Sequence, residues 1–484
     1  MHGPGVLQKA AKCFKSCMNI HNAMPIPEEH KNRHVYHFTL LDNLHGIVRD
    51  GLVSPNEQIR RKLVHHSIAA PDLQSKRARM PVTCGPKGVV HDYVPFYFTS
   101  LSPMLQAVVN AKNVDQYDLV HIALPVSMIE RSDVIFTNAA ANSNVPPQFY
   151  SDSSRLDQLH WDLIDPQNWK WTKEQKRFRM AEMLVHKEIR IQDVAYLVVW
   201  NKGSKEKVKR IFSECNIDPP PMEFSGTRRF AGHWVNHYFT TYWDKKHNVS
   251  IVKGPKELRK VYQIVVDHIL AEGFNEDGQF KDLWEMRDAL REDLAAVGET
   301  AELVGLESEN DMHKEDVGSH TMLVVKNLRR SLEYKNLSKN DQLLTEIAAF
   351  FHDIGKGPKE RWADKGGKQQ VDNDHPAKST EMLARIFTEE IKSMRPRSVR
   401  VISKLVCYHD LVGDILRGDL LVSRDPKQLE DIIETEAELD MLIALGLADM
   451  RSVNPRWAEG REEEIEALRE RVLAKLDATE FDDE

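Results

Sequence analysis

The sequence predicts a multidomain protein with an α+β front half and an all-α rear half. Three observations carry this. At 484 residues the chain is too long for one ordinary hydrophobic core, and length alone suggests roughly two to four domains of about 100–200 residues. Up to residue 212, short apolar runs rich in β-branched and aromatic residues are mixed with helical stretches. From Pro255 onward the apolar residues recur at three- and four-residue spacing, the period of an amphipathic helix.

The elements follow in order. Residues 1–32 read as a short helix and a proline-punctuated lead-in, Met24-Pro25-Ile26-Pro27. Residues 33–212 form the α+β domain. Val35–Thr39 reads as a strand and Leu41–Asp50 as a helix ended by Gly51. Val94–Thr99, Asp118–Leu124 and Val194–Val199 read as buried strands, being short and apolar. Residues 213–254 are expected to connect the halves, because Ile217-Asp-Pro-Pro-Pro-Met222 breaks any helix. The aromatic, basic stretch 223–250 has no clear period. Residues 255–300 read as a helical connector and 301–484 as the rear domain, with helices at Leu258–Leu270, Leu283–Leu294 and Met322–Leu332 and a charged amphipathic helix at Glu462–Leu476.

Composition, 41% hydrophobic and 29% charged, is that of a globular protein. No apolar stretch approaches the roughly 20 residues that span a bilayer, and the N-terminus lacks the apolar middle of a secretion signal. The five cysteines make no disulfide or zinc pattern and read as free thiols, so a cytoplasmic location and no membrane partner are expected. Residues 1–212 hold 28 Lys/Arg against 20 Asp/Glu, whereas 213–484 hold 38 against 54. A basic front half can meet a polyanion such as nucleic acid; a broad acidic surface cannot.

The rear half carries His320, His352, Asp353, His375, His409 and Asp449, each placed where a metal ligand can be presented. His320 lies at the start of one helix, and His352-Asp353 closes an apolar one and runs into Gly355-Lys356. His375 follows Asp374 at a helix entry, His409 lies near a helix end, and Asp449 sits inside an apolar helix, where a carboxylate needs a partner. A lone buried histidine is usually a hydrogen-bonded core residue; six such groups on successive helices point instead to a divalent cation held by N and O ligands, Mn, Fe or Mg. The order His…His-Asp…His…His…Asp resembles the HD-domain phosphohydrolases, all-α bundles with metal between the helices. The resemblance covers roughly residues 300–460. It implies a single-metal set of His320, His352, Asp353 and Asp449, with His375 and His409 as the extra ligands of two-metal members. It also implies a catalytic Lys356 that contacts substrate phosphate, and a nucleotide or other phosphoester as substrate. Asp372-Asn-Asp-His375 and Ala448-Asp-Met-Arg-Ser-Val-Asn-Pro-Arg-Trp457 look like the HD domain that follows bacterial nucleotidyltransferases.

In the front half, Tyr36-His-Phe-Thr-Leu-Leu-Asp-Asn-Leu44, Phe96-Tyr-Phe…Ser102-Pro-Met-Leu105 and Arg179-Met-Ala-Glu-Met-Leu-Val185 stand out. Glu182 is the least ordinary residue, a carboxylate inside an apolar run that must be exposed at an edge or paired in a site. Together these segments resemble the DarT family of DNA ADP-ribosyltransferases, over roughly residues 33–212. The resemblance implies a split, mixed-strand NAD-binding fold, with NAD as substrate held by His37, Thr39, Asn43, Arg61 and Tyr97, and Glu182 as catalytic residue. It implies single-stranded DNA as the partner whose base is modified; no protein antitoxin can be named from the sequence. Phe136-Thr-Asn-Ala-Ala-Ala-Asn-Ser143 departs from the family pattern, which often has a histidine near Ala140. That bears on target choice and on activity.

The leading reading is an NAD-dependent DNA ADP-ribosyltransferase, toxic by nature, fused to an HD phosphohydrolase. The HD half would restrain or serve it by hydrolysing a nucleotide signal, processing the modified product or binding a ligand; the sequence ranks none of these. A second reading is an HD nucleotide phosphohydrolase whose front half only recognises or senses. A third is a non-enzymatic, ligand-sensing DNA-binding protein.

Overall fold

β-Branched and aromatic residues set the strands of the front half in the computed structural model, which describes residues 25–68, 71–141, 145–167, 171–230, 232–242, 249–309, 315–417 and 422–482. The helix expected within the first residues lies outside this set. The chain divides into two units, residues 1–66, 72–103 and 120–237 in the first, and residues 67–71, 104–119 and 238–484 in the second.

The first unit is built on one mixed sheet of eight strands. These are β1 (His34–Leu40), β2 (Tyr93–Tyr97), β3 (Leu119–Pro125), β4 (Val134–Thr137), β5 (Phe149–Tyr150), β6 (Glu182–His186), β7 (Tyr196–Val199) and β8 (Met222–Phe224), in the order β8-β7-β3-β1-β2-β6-β4-β5. Alternation along the strands sends Phe96, Ile122, Phe136, Met183, Val185 and Leu197 into one core. Tyr93, Ile135 and Leu184 enter a smaller cluster on the other face. β1, β2 and β6 pair antiparallel, so Tyr36 lies opposite Tyr97 and Tyr97 opposite Glu182. The three side chains therefore share one face of the sheet.

The helix α1 (Leu44–Asp50) buries Leu44, Ile47 and Val48 and stops at Gly51, whose φ of 86° lies in the left-handed region that a Cβ disfavours. Ser54 caps α2 (Pro55–Arg61) through the Glu57 amide. The third helix, α3, is Pro71–Arg79, and α4 (Lys173–Arg179) begins with a capping box between Thr172 and Gln175. The Pro-rich run after residue 217, expected to join two domains, instead links α5 (Lys202–Glu214) to β8, which pairs parallel with β7. Residues past 212 thus still belong to the sheet. Three prolines end a helix equally well inside a domain or between domains, and only the pairing of Met222–Phe224 decides which.

The second unit is helical. Its helices are α6 (Pro255–Glu272), α7 (Leu283–Glu292), α8 (Val317–Arg330), α9 (Lys339–Phe351), α10 (His375–Glu389), α11 (Pro396–Cys407), α12 (Leu411–Leu416), α13 (Glu436–Val453) and α14 (Glu462–Asp482). Central α9 buries residues on every side, including Leu343, Leu344, Ile347, Phe350 and Phe351, as expected of a helix that is apolar all round. Truncating one of these to alanine costs about 2–5 kcal/mol. The stretch 255–300 contributes Leu258, Val265, Met286 and Leu290 to the same core and is part of this bundle. The unit also takes in residues 104–119, which hold all but the first residue of the helix Pro103–Asn110 and the turn after it.

Candidate functional site

Glu182 opens β6 and is 1% exposed. A carboxylate this deep needs partners. It has them in Arg77 of α3, whose two guanidinium nitrogens donate to the two carboxylate oxygens at 2.9 and 2.8 Å, and in the Ala141 amide, 3.2 Å from Oε1. The Glu182 amide in turn donates to Thr137 Oγ1 at 3.2 Å, and that hydroxyl donates to the Ala139 carbonyl at 2.8 Å. Residues 137–141 thus wrap the carboxylate with backbone and with three buried alanines, where the expected histidine is absent. Tyr97 stands opposite Glu182; burial first, and then the Glu182 charge, push its hydroxyl above the ordinary tyrosine range.

Just ahead of β6, buried Arg179 donates to the carbonyls of Leu163 and Ile164 at 2.6 and 2.9 Å, and to Thr99 Oγ1 and the Leu101 carbonyl at 3.3 Å. Burial lowers its pKa to about 10, and it fastens the end of α4 to the segment that follows β2.

Of the expected NAD-binding residues, His37 places Nδ1 2.9 Å from the Pro95 carbonyl on neighbouring β2. Asn43 donates to Thr39 Oγ1 at 3.1 Å and to the His66 carbonyl at 2.9 Å, and receives the His66 amide at 2.8 Å. Thr39 and Asn43 therefore form one local group that holds the chain at His66. Arg61 is engaged by Glu57, at 3.0 Å, and by Glu188. The arginine at the carboxylate is Arg77, which sequence reasoning missed. Nothing local marks Arg77 among the cations of Lys76-Arg77-Ala-Arg79; only the fold turns it inward.

Three histidines of this unit are held without charge, His121 and His237 buried and His37 half-buried. Burial lowers the pKa of His37 to about 4 and of His237 to about 3, and takes that of His121 well below its usual value of 6.5. The folded protein binds fewer protons than the unfolded chain at these sites. Their contribution to stability is therefore complete above pH 6.5 and is lost as pH falls toward 4 and 3. Thermal midpoints between pH 7.5 and 4 should fall with acidification, and the fall should be shallower in His237→Gln. An equal slope in that variant removes His237 as a source.

In the second unit, His320 on α8, His352-Asp353 after α9, His375 at the start of α10, His409 after α11 and Asp449 on α13 converge. Two groups of possible metal ligands form, His320–His352–Asp353 and Asp353–His375–His409, and they share Asp353. His320 Nε2 lies 3.0 Å from Asp449 Oδ1, and His352 Nε2 and His375 Nε2 lie 3.3 and 3.2 Å from the Asp353 oxygens. The Nδ1 atoms of His352, His375 and His409 donate to the carbonyls of Ala349, Asp372 and Val406 at 2.7–2.8 Å. That assignment puts the proton on Nδ1 and leaves each Nε2 a lone pair. His375 Nε2 and His409 Nε2 then face each other at 3.1 Å, two lone pairs that repel unless a cation lies between them. His352 Nε2 is buried with no hydrogen-bond partner among the described residues. The donor set, imidazole nitrogens and carboxylate oxygens in two groups that share Asp353, fits divalent metal ions, which these residues would hold.

Lys356 places its ammonium 2.6 Å from Asp353 Oδ2, a positive charge at a ligand oxygen. Beside the cluster, Asp410 receives Arg424 Nη1 at 2.8 Å and the Lys112 ammonium. Lys112 and Arg424 were not foreseen: a lysine 298 positions away carries no local signal of this contact. A cavity of about 260 Å³, lined by Lys356, Asn373, Arg417 and Trp457 among others, opens over the ligands.

Gly355 fixes this geometry. A Cβ there would meet the His375 carbonyl oxygen at 2.3 Å and the Ser379 nitrogen at 2.5 Å. Ser379 Oγ bridges the Gly355 amide and the His352 carbonyl, at 2.9 and 2.7 Å. Only glycine lets His352-Asp353 approach α10 and His375 this closely.

Among known proteins, the family model described as "ssDNA thymidine ADP-ribosyltransferase, DarT" matches residues 36–230, and the HD-domain model matches residues 317–482. A DNA ADP-ribosyl transferase of Thermus sp. (strain 2.9) is 30% identical over 184 residues, 37% of this chain and 87% of the relative. A DNA ADP-ribosyl transferase of Thermus aquaticus is 30% identical over 193 residues, 39% of this chain and 85% of that protein. The bifunctional uridylyltransferase/uridylyl-removing enzyme of Bordetella pertussis is 28% identical over 195 residues, 37% of this chain but 21% of that enzyme. Among solved structures, Thermus sp. 2.9 DarT in complex with ADP-ribosylated ssDNA is 27% identical, with a TM-score of 0.38, over 43% of this chain and 98% of that one. No described helix is long and apolar enough to cross a membrane. The chain belongs to the DarT family of DNA ADP-ribosyltransferases and carries an HD domain in its second half.

Proposed function

We propose that the first unit transfers ADP-ribose from NAD to a base of single-stranded DNA, with Glu182 as its catalytic residue. The observation that carries this is the buried Glu182–Arg77 pair with Tyr97 opposite it on the neighbouring strand, in a chain of the DarT family. When the bond between the ribose C1′ and nicotinamide breaks, positive charge develops on the ribose. The Glu182 carboxylate stabilises that charge, a ring nitrogen of the base forms the new bond to C1′, and its proton leaves. Arg77 pairs with both carboxylate oxygens and orients them. His37, Thr39, Asn43, Arg61 and Tyr97 are the residues to which NAD binding is assigned. An unstacked, single-stranded base exposes the atom to be modified without the cost of opening a duplex. The matching family's description names thymidine; here the wrapping segment offers backbone and alanine methyls where a histidine often stands.

For the second unit we propose a metal-dependent phosphohydrolase acting on a nucleotide or phosphoester. Divalent ions held there would supply an acidified water and a clamp for the phosphate. His320, His352, Asp353, His375, His409 and Asp449 would hold the ions, and Lys356 would leave Asp353 to meet the substrate phosphate. The ions are assigned as Mn, Fe or Mg from the N/O donor set. Fusion to a DNA-modifying enzyme supports a role in restraining a toxic activity, in the cytoplasm where NAD and DNA meet.

The test is mass spectrometry of single-stranded oligonucleotides after incubation with NAD. A gain of one ADP-ribose is expected, absent with Glu182→Ala. No gain on any of the four bases overturns the transferase reading and favours a front half that only recognises.

A further inference from the structure

A second cavity lies in the first unit, and neither Arg77 nor Glu182 is among its lining residues. It measures about 160 Å³, and its walls include Arg33, Tyr36, Phe98, Tyr196, Arg228 and Trp234. One side is the hairpin β9 (Arg229–Phe230) and β10 (His233–Trp234), in which Arg229 pairs with Trp234. The family match ends at Phe230 and so covers the first strand of this hairpin and not the second.

The lining combines aromatic faces with cations. Arg33 lies 3.7 Å from the Trp161 ring centre and is held by both oxygens of Asp165, at 2.6 and 2.9 Å. Arg228 lies 3.9 Å from the Tyr196 ring and is held by Glu223. Arg229 is different: it is exposed, lies 4.5 Å from the Trp234 ring, and makes no ion pair among the described residues. Trp234 is 50% exposed. The hairpin is nevertheless fastened to the sheet. The Val235 amide donates to the Arg228 carbonyl at 2.9 Å, the Gly226 amide to the Val235 carbonyl at 3.0 Å, and Ser100 Oγ to the Asn236 carbonyl.

The location gives the cavity its meaning. Tyr36 lines it, and the strand register puts Tyr36 in line with Tyr97 and Glu182, two strands away on the same face. At the usual spacing of strands that is about 10 Å. A site of this size, with stacking faces and an unpaired cation beside it, suits a nucleobase and its phosphate.

We propose that this cavity receives a base of single-stranded DNA neighbouring the one modified, with Trp234 as its stacking face and Arg229 as the contact to the backbone phosphate. The proposal rests on the reading of the first unit as a DNA-modifying transferase. Its occupant is DNA and not NAD, because none of the five residues to which NAD binding is assigned, His37, Thr39, Asn43, Arg61 and Tyr97, lines the cavity.

The test uses the full chain, a fluorescent single-stranded oligonucleotide of mixed sequence, and the variants Trp234→Ala, Trp234→Phe and Arg229→Ala. Trp234→Ala should weaken oligonucleotide binding about tenfold or more, and Trp234→Phe should restore most of it. Arg229→Ala should weaken binding and reduce the salt dependence by about one phosphate contact. The KM for NAD in hydrolysis without DNA should stay unchanged. Equal oligonucleotide affinity in Trp234→Ala and Arg229→Ala, with unchanged thermal midpoints, overturns the proposal, and a raised KM for NAD would assign the cavity to NAD and overturn it as well. Binding that depends on Trp234 without any ADP-ribose transfer would leave the subsite standing and sink the transferase. Transfer whose oligonucleotide KM ignores both variants would do the reverse.

Discussion

Glu182→Gln is expected to lower ADP-ribose transfer to an oligonucleotide by at least about a hundredfold, the scale seen when one preorganised charge-stabilising group is removed from a site. The neutral amide keeps the shape but loses the charge that the developing ribose cation needs. The substitution also strands Arg77, which is 9% exposed at its side chain. Leaving one member of a buried ion pair uncompensated costs about 3–5 kcal/mol, so the variant should melt well below the parent. Arg77→Met alone should be destabilised similarly, because the carboxylate is then the stranded partner. The double variant Arg77→Met/Glu182→Gln separates the two roles. Stability should recover in large part while transfer stays absent, since an apolar and a neutral group can share the space but neither carries the charge. Full activity in Arg77→Met would show that the pair serves only the fold.

Asp353→Ala is expected to abolish metal binding by the second unit altogether. Asp353 is the one residue common to both groups of potential ligands, so its loss opens both. His409→Ala removes a ligand from one group only and should leave the other ion in place. Elemental analysis of the purified full chain, after dialysis against Mn, Fe or Mg, would show two ions per chain in the parent, one in His409→Ala and none in Asp353→Ala. Gly355→Ala should behave like a ligand loss without touching any ligand. Its Cβ would lie 2.3 Å from the His375 carbonyl oxygen, which is backbone at the start of α10 and cannot swing aside. Relief requires His375 to move away from Asp353, now 3.2 Å from it. Two ions bound at parental affinity in Gly355→Ala would show that the close approach is dispensable.

Much of this protein was legible in its sequence. The helices that present His320, His375, His409 and Asp449 have clear apolar periods and stops, and the pairs of residues around them carry chemistry in their spacing. β1, β2, β3 and β7 were legible as short β-branched or aromatic runs. β6 was harder, because its first residue is a carboxylate and the run from Met180 to Val185 reads equally as helix. The eighth strand, Met222–Phe224, was hidden behind three prolines, since a three-residue edge strand has no period of its own.

The sequence by itself determined the two halves, the order of histidines and aspartates in the HD domain and Glu182 as the residue out of place in an apolar run, because these depend on residue type and near-neighbour spacing. Only the tertiary structure decided that Arg77 meets Glu182, that Lys112 reaches Asp410, and that Asp353 is shared by two groups of possible ligands. These contacts are made by long side chains across large separations in sequence. Which of several similar cations turns inward depends on the packing of whole elements, and no local pattern records it.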